Sequence, residues 1–245
     1  MTLTDFAYLD IGNTRVKLLL DGKVSYFDYN STKWINDLLF ELNEKNVRNI
    51  IFSTSNPQKS ELLQKEQSSF QLINANQLLE SFNDLDLNID GMGTDRKLGL
   101  IKAYDSFDLP LITIDTGTAI TINFLDQSKK CRGGFILPGI ETQLISLNTQ
   151  TSSLPKIAPN SSQLKIGNNT QEAILNGVIY GISGSIKNLI EKSIKELAFD
   201  NPSIVLTGGA SELIHHSLKD WNYSITLQND LVLKGLKVLH TRTMK

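Results

Sequence analysis

The sequence predicts an α/β protein of two related halves, each a β-β-β-α-β-α unit around a sheet of mixed strand direction. Three observations carry that prediction. Asp10-Ile11-Gly12-Asn13-Thr14 and Asp115-Thr116-Gly117-Thr118-Ala119 are two versions of one turn. Each turn follows an apolar strand, Phe6 to Leu9 or Leu111 to Ile114, and enters another, Val16 to Leu20 or Ile120 to Phe124. Each hairpin then leads to a third strand and to helix–strand alternation, the order of a layered α/β fold.

In the first half, Phe6 to Asp10 and Arg15 to Leu20 read as strands, and Asp21-Gly22 is a hairpin signal into Val24 to Tyr29. Trp34, Leu38, Leu39 and Leu42 recur at helical spacing within Thr32 to Asn43. Ile50 to Ser53 is a short buried strand closed by Asn56-Pro57, Ser60 to Gln67 a helix and Phe70 to Ile73 a strand. Gly91 and Gly93 break the pattern before a helix from Thr94 to Tyr104.

The order restarts at Pro110, so the predicted domains are 1–109 and 110–245, with the boundary near Asp105 to Pro110. Strands fall at Leu111 to Asp115, Ala119 to Leu125 and Gly134 to Leu137. Pro138-Gly139 stops the third, and Glu141 to Leu147 is a helix. A polar stretch spans Asn148 to Asn169. Thr170 to Leu197 is the longest periodic segment, and its Gly177, Gly181 and Ser185 form one nearly bare helix face suited to close packing, including between subunits. Ser203 to Thr207 is a strand ending at Gly208-Gly209, and Leu231 to Leu239 is a closing helix.

Composition narrows the function classes. The chain has 245 residues and a net charge of −2, enough for proper cores but without the basic footprint of a nucleic-acid binder. The single cysteine, Cys131, excludes an internal disulfide framework and fits a reducing compartment. The segment from Met1 to Asp5 is neither basic nor followed by a long apolar run, and no stretch reaches the roughly 20 apolar residues of a membrane span. A cytoplasmic protein without membrane or nucleic-acid partners is expected. His215, His216 and His240 lack ligand spacing with Cys131 and are expected at the surface.

The repeated turn carries the chemistry. Glycine lets backbone approach a ligand closely, and the N–H groups after it can point at phosphate oxygens. A carboxylate cannot bind phosphate directly, so Asp10 and Asp115 call for a cation travelling with it. Two such hairpins suggest a clamped nucleotide and a phosphotransferase. Gly91-Met92-Gly93-Thr94-Asp95-Arg96 matches neither a dinucleotide fingerprint nor a phosphate P-loop. It places an acid beside a base at a helix start: either Asp95 caps the helix, or it is a general base near an anion-binding guanidinium. Gly133-Gly134 and Gly208-Gly209 follow apolar strands, where glycine pairs let a purine or sugar lie against backbone or simply form a turn.

As an ordered set, these elements resemble the type III pantothenate kinases, of the acetate and sugar kinase/Hsp70/actin superfamily. The set comprises Asp10 to Thr14 with Lys17, Gly93 to Arg96, Asp115 to Ala119, Gly133-Gly134 with Pro138-Gly139, Thr151 to Pro155, and Asn169 to Ala173. The resemblance implies two ribonuclease H-like (actin-like ATPase) domains, a homodimer, and ATP-dependent phosphorylation of pantothenate, the first step of coenzyme A synthesis. It implies that Asp10, Ile11, Gly12, Asn13, Thr14, Arg15, Val16 and Lys17 bind ATP together with Thr118. It further implies Asp95 as general base, and Gly93, Thr94, Asp95, Arg96 and Thr170 as the pantothenate site. Asp115 would hold a monovalent cation, K+ or NH4+, and Asp10 would face the Mg2+ that accompanies ATP. Two departures concern the acceptor pocket: no aromatic lies between Phe82 and Asp95, and the helix after the motif opens with Lys97-Leu98-Gly99. A superfamily kinase of another hydroxy acid or sugar, and a silent regulatory accessory factor, are the alternatives.

Overall fold

A computed structural model describes residues 6–65, 70–160 and 165–244. The expectations touching Met1 to Asp5, the last two residues of the Ser60 to Gln67 helix, and 161–164 of the polar stretch lie outside the described residues. The described elements run β1 (Phe6–Ile11), β2 (Arg15–Leu20), β3 (Lys23–Asp28), α1 (Trp34–Glu44), β4 (Asn49–Thr54), α2 (Pro57–Lys65), β5 (Gln71–Asn74), α3 (Ala75–Leu79) and α4 (Thr94–Ser106). They continue as β6 (Leu111–Thr116), β7 (Ala119–Leu125), β8 (Cys131–Pro138), α5 (Ile140–Gln150), α6 (Thr170–Leu197), β9 (Ser203–Thr207), α7 (Ser211–Ser217), β10 (Ile225–Leu227) and α8 (Leu231–Thr243).

The duplication is explicit in the sheets. One has the order β3-β2-β1-β4-β5, and the other reads β8-β7-β6-β9-β10 in the same sense. In both, the first three strands are antiparallel and the last two run parallel to the first. β1 and β6 even share one burial pattern, with a single half-buried residue in fifth place, Asp10 or Asp115. A strand covered on both faces is mostly apolar, so a charged carboxylate there marks a position facing something other than core.

The chain divides into one unit of 1–106 with 230–245 and another of 107–229. This differs from the expected 1–109 and 110–245: the closing helix α8 belongs to the first unit. Its buried Leu231, Leu233, Leu236 and Leu239 pack there, and Gly235 lies directly against the Leu98 backbone of α4. A helical pattern read from sequence names the buried stripe but not the surface that receives it.

Each unit has its own core. In the first, Leu9, Ile11 and Leu18 of the hairpin meet Trp34, Leu38 and Leu42 of α1. In the second, Ile114, Ile120 and Ile122 meet Val178, Ile182 and Ile186 of α6. Full burial of such side chains is worth about 1.5–3 kcal/mol each, so both hairpins are anchored where they emerge. The Asp21-Gly22 turn is as expected, with both residues at positive φ. α3, α7 and β10 were not anticipated, being short elements whose stability comes from packing rather than local pattern. His240 corrects the expectation of a surface histidine: it is buried between Phe6 and Tyr8. No helix among the described residues is long and apolar enough to cross a membrane.

Candidate active site

In the first unit, the β1–β2 turn is closed by the Gly12 N–H donating to the Arg15 carbonyl at 3.1 Å, and Tyr29 donates its hydroxyl to the Gly12 carbonyl at 3.0 Å. Asn13 and Thr14 are left exposed at the tip, while Ile11 and Val16 are core residues that can offer a ligand only backbone. Arg15 is engaged with Asp28 at 3.1 Å on the surface.

Asp10 stands in register with Lys17 on one side and Ser53 on the other. The Ser53 hydroxyl donates to Asp10 Oδ1 at 3.3 Å. Desolvation pushes the Asp10 carboxyl above its ordinary value; Lys17 opposes this, the Asp95 charge adds to it, the Ser53 bond opposes it and Asp230 adds again. Asp10, Lys17, Asp95 and Asp230 therefore share one electrostatic neighbourhood, although they come from three separate stretches of chain: the first hairpin, the start of α4 and the residue before α8. Lys17 Nζ lies 3.4 Å from Asp230 Oδ1.

Helix α4 opens at Thr94, which puts Asp95 in its first turn rather than at the capping position. Asp95 Oδ1 accepts the Arg96 N–H at 2.7 Å, satisfying one of the donors a helix start leaves unpaired and placing negative charge at the positive end of the helix. A Cβ on Gly93 would stand 2.7 Å from the same oxygen, so only glycine leaves that carboxylate its place. The Thr94 hydroxyl donates to Asn76 Oδ1 at 2.6 Å. Beside this pair opens a cleft of about 480 Å³ whose lining includes Asn76, Leu79, Met92, Gly93 and Lys97. Arg96, expected to hold the anionic acceptor, is not among the lining residues, whereas Lys97 is.

The second unit repeats the hairpin. Asp115 pairs in register with Thr121 and Thr207, and Thr116 donates its hydroxyl to the Thr207 carbonyl at 2.8 Å. Thr118 is exposed at the turn, and its carbonyl accepts from the Gly139 N–H at 2.9 Å and the Thr142 hydroxyl at 2.7 Å. Gly139 and Gly208 are pressed onto this hairpin. A Cβ on Gly139 would overlap the Gly117 carbonyl oxygen, and one on Gly208, at φ +101, would stand 2.6 Å from Asp115 Oδ1. These glycines therefore serve hairpin packing, whereas Gly133 and Gly209 have open space beside them. Thr170 is the exposed first residue of α6, whose start is capped by Asn169 accepting the Glu172 N–H at 2.9 Å.

Each unit thus presents a carboxylate at the same place beside a glycine turn, and the first adds a carboxylate at a helix start and a lysine. Groups of these types can orient phosphate through a cation and accept a proton. A sequence profile of the type III pantothenate kinases matches residues 7–192, which include both hairpins, the Asp95 motif and most of α6. The chain belongs to the type III pantothenate kinase family. It is 33% identical over 132 residues to a type III pantothenate kinase of Persephonella marina, an alignment covering 54% of this chain and 51% of that protein. Against two further curated relatives of the same name the covered share is 56% and 59% of their length. Among solved structures, a Campylobacter jejuni protein described as a Baf family transcriptional activator superposes with a TM-score of 0.67 at 23% identity, covering 97% of this chain and 98% of that one. An archaeal actin homolog superposes with a TM-score of 0.53 at 12% identity, covering 98% and 99%. These likenesses identify the fold as actin-like, with two ribonuclease H-like sheets.

Sequence reasoning missed Asp230, Ser53, Tyr26 and the cleft position of Lys97. No local pattern distinguishes them: Ser53 ends a plain buried strand, and Asp230 looks like an ordinary residue before a helix.

Proposed function

We propose that the protein transfers the γ-phosphoryl group of ATP to the primary hydroxyl of pantothenate. A bond forms from the pantothenate oxygen to phosphorus, the bond to the ADP leaving oxygen breaks, and the hydroxyl proton goes to Asp95. The observation that carries this reading is the convergence of Asp95 and Lys17 on Asp10 in a chain of this family. The transition state is loose, so positioning and charge neutralisation outweigh covalent work. The residues of the Asp10 to Lys17 hairpin take the phosphates. Gly93, Thr94 and Arg96, around the start of α4, hold the acceptor.

Asp10 fits a divalent cation, because a desolvated carboxylate gains most from a counter-charge, and Asp115 with its hydroxyl neighbours offers the hard oxygens a K+ or NH4+ ion prefers. Those ions would supply neutralisation of phosphate charge. A homodimer belongs to this reading, supported by the open face of α6 at Gly177, Gly181 and Gly184, as does a cytoplasmic location.

The test is phosphorylation of pantothenate by the purified protein with Mg-ATP, in potassium and in sodium buffer, alongside Asp95→Asn. General-base catalysis is worth about 10² to 10⁴ in rate, so the variant should lose turnover on that scale while keeping its ATP affinity. Loss of ATP binding in the variant would refute the role of Asp95. No turnover in either buffer would refute pantothenate as acceptor.

A further inference from the structure

Asp230 breaks a local rule. It occupies the position before α8 where an aspartate ordinarily accepts a first-turn N–H, yet it makes no capping bond. Its backbone is held at φ 56 and ψ 41, the left-handed region that a non-glycine residue enters at a cost. Its side chain is only 10% exposed. Both carboxylate oxygens are turned instead toward the nucleotide hairpin: Oδ1 pairs with Lys17 Nζ at 3.4 Å, and Oδ2 accepts the Tyr26 hydroxyl at 3.0 Å.

Lys17 stands between two carboxylates, because Asp10 is its partner across the β1–β2 ladder. A flexible ammonium beside a single half-buried carboxylate would collapse onto it, neutralising Asp10 and withdrawing from any incoming phosphate. Two opposed carboxylates hold it between them. Tyr26 fixes the second of these, lying opposite Lys17 on β3.

We propose that Asp230 is a positioning residue, which with Tyr26 holds the Lys17 ammonium off Asp10 and available to the phosphates of a nucleoside triphosphate. This rests on the nucleotide reading above and adds to it a determinant from the far end of the chain. It also accounts for the strained backbone, since a relaxed N-cap would aim the carboxylate at the α8 amides.

The test is direct binding of Mg-ATP by calorimetry to four proteins: unaltered, Asp230→Asn, Lys17→Met and the double variant. Asparagine is well tolerated in the left-handed region and can still accept from Tyr26, so Asp230→Asn should keep its melting temperature. It should bind ATP about ten-fold more weakly, and the loss should vanish in the Lys17→Met background, because coupled residues are non-additive. Equal losses in both backgrounds would show that Asp230 acts without Lys17 and overturn the proposal. Tighter binding by Asp230→Asn would overturn it too, showing the carboxylate to be a competitor of phosphate. If the unaltered protein binds no ATP, the nucleotide reading itself fails and this proposal falls with it, an outcome distinct from either of the others.

Discussion

Gly235→Ala tests how the helix bearing Asp95 is held. Mid-helix glycine costs about 1 kcal/mol relative to alanine, so propensity alone says the change should stabilise α8. The structure says the opposite. A Cβ at 235 would overlap the Leu98 carbonyl oxygen and lie 2.8 Å from the carbonyl carbon and 3.1 Å from Leu98 Cβ. Carbon atoms need about 3.5 Å, so α8 must retreat from α4 by roughly 0.7 Å or more. Backbone on both sides leaves no side chain to swing aside, which puts the overpacking cost near the top of its usual range of about 1–3 kcal/mol. Net of the propensity gain, Gly235→Ala should lose about 2 kcal/mol. Gly99→Ala is the control in the same helix pair, since its Cβ would meet only Leu231 Cδ2 at 3.8 Å, an ordinary contact. It should gain up to about 1 kcal/mol. Urea unfolding followed at Trp34 in a Trp221→Phe background reads the first unit alone. A Gly235→Ala protein as stable as Gly99→Ala would refute the argument.

Two pH predictions follow from titratable groups that folding desolvates. Burial raises the folded-state carboxyl of Asp10 above its ordinary 3.8, so its ionised form opposes folding. That penalty is absent below 3.8 and complete once pH exceeds the folded value. Asp10→Asn should therefore melt higher than the unaltered protein at pH 7, with an advantage that shrinks on acidification. A pH-independent difference between the two melting curves would show that Asp10 is not the cause. His240 shifts the other way: desolvation lowers its folded value below 6.5, so its contribution is intact above pH 6.5 and is lost as pH falls through the folded value. Tyr8 Oη and His240 Nδ1 are 3.0 Å apart, so the double change Tyr8→Phe with His240→Phe removes the titration without orphaning a hydroxyl. Stability of that variant should fall less steeply below pH 6.5, and parallel acid limbs would refute the assignment.

Most strands, the long helices and both hairpins were legible because local rules suffice for them: alternation and apolar runs for β1, β2, β6 and β7, helical spacing for α1 and α6, turn chemistry at Asp21-Gly22. The two aspartates were legible because each interrupts an apolar strand at the same place. Short α3, α7 and β10 were not, since their formation depends on what they pack against.

The sequence by itself determined the duplication, the family and the residues nominated for chemistry, because these depend on order and spacing along the chain. Only the tertiary structure decided that α8 returns to the first unit, that His240 is buried, that Gly139 and Gly208 brace the second hairpin, and that Lys17 pairs with Asp230. Such relations join residues tens to hundreds of positions apart, and side-chain distance in space leaves no mark on local periodicity.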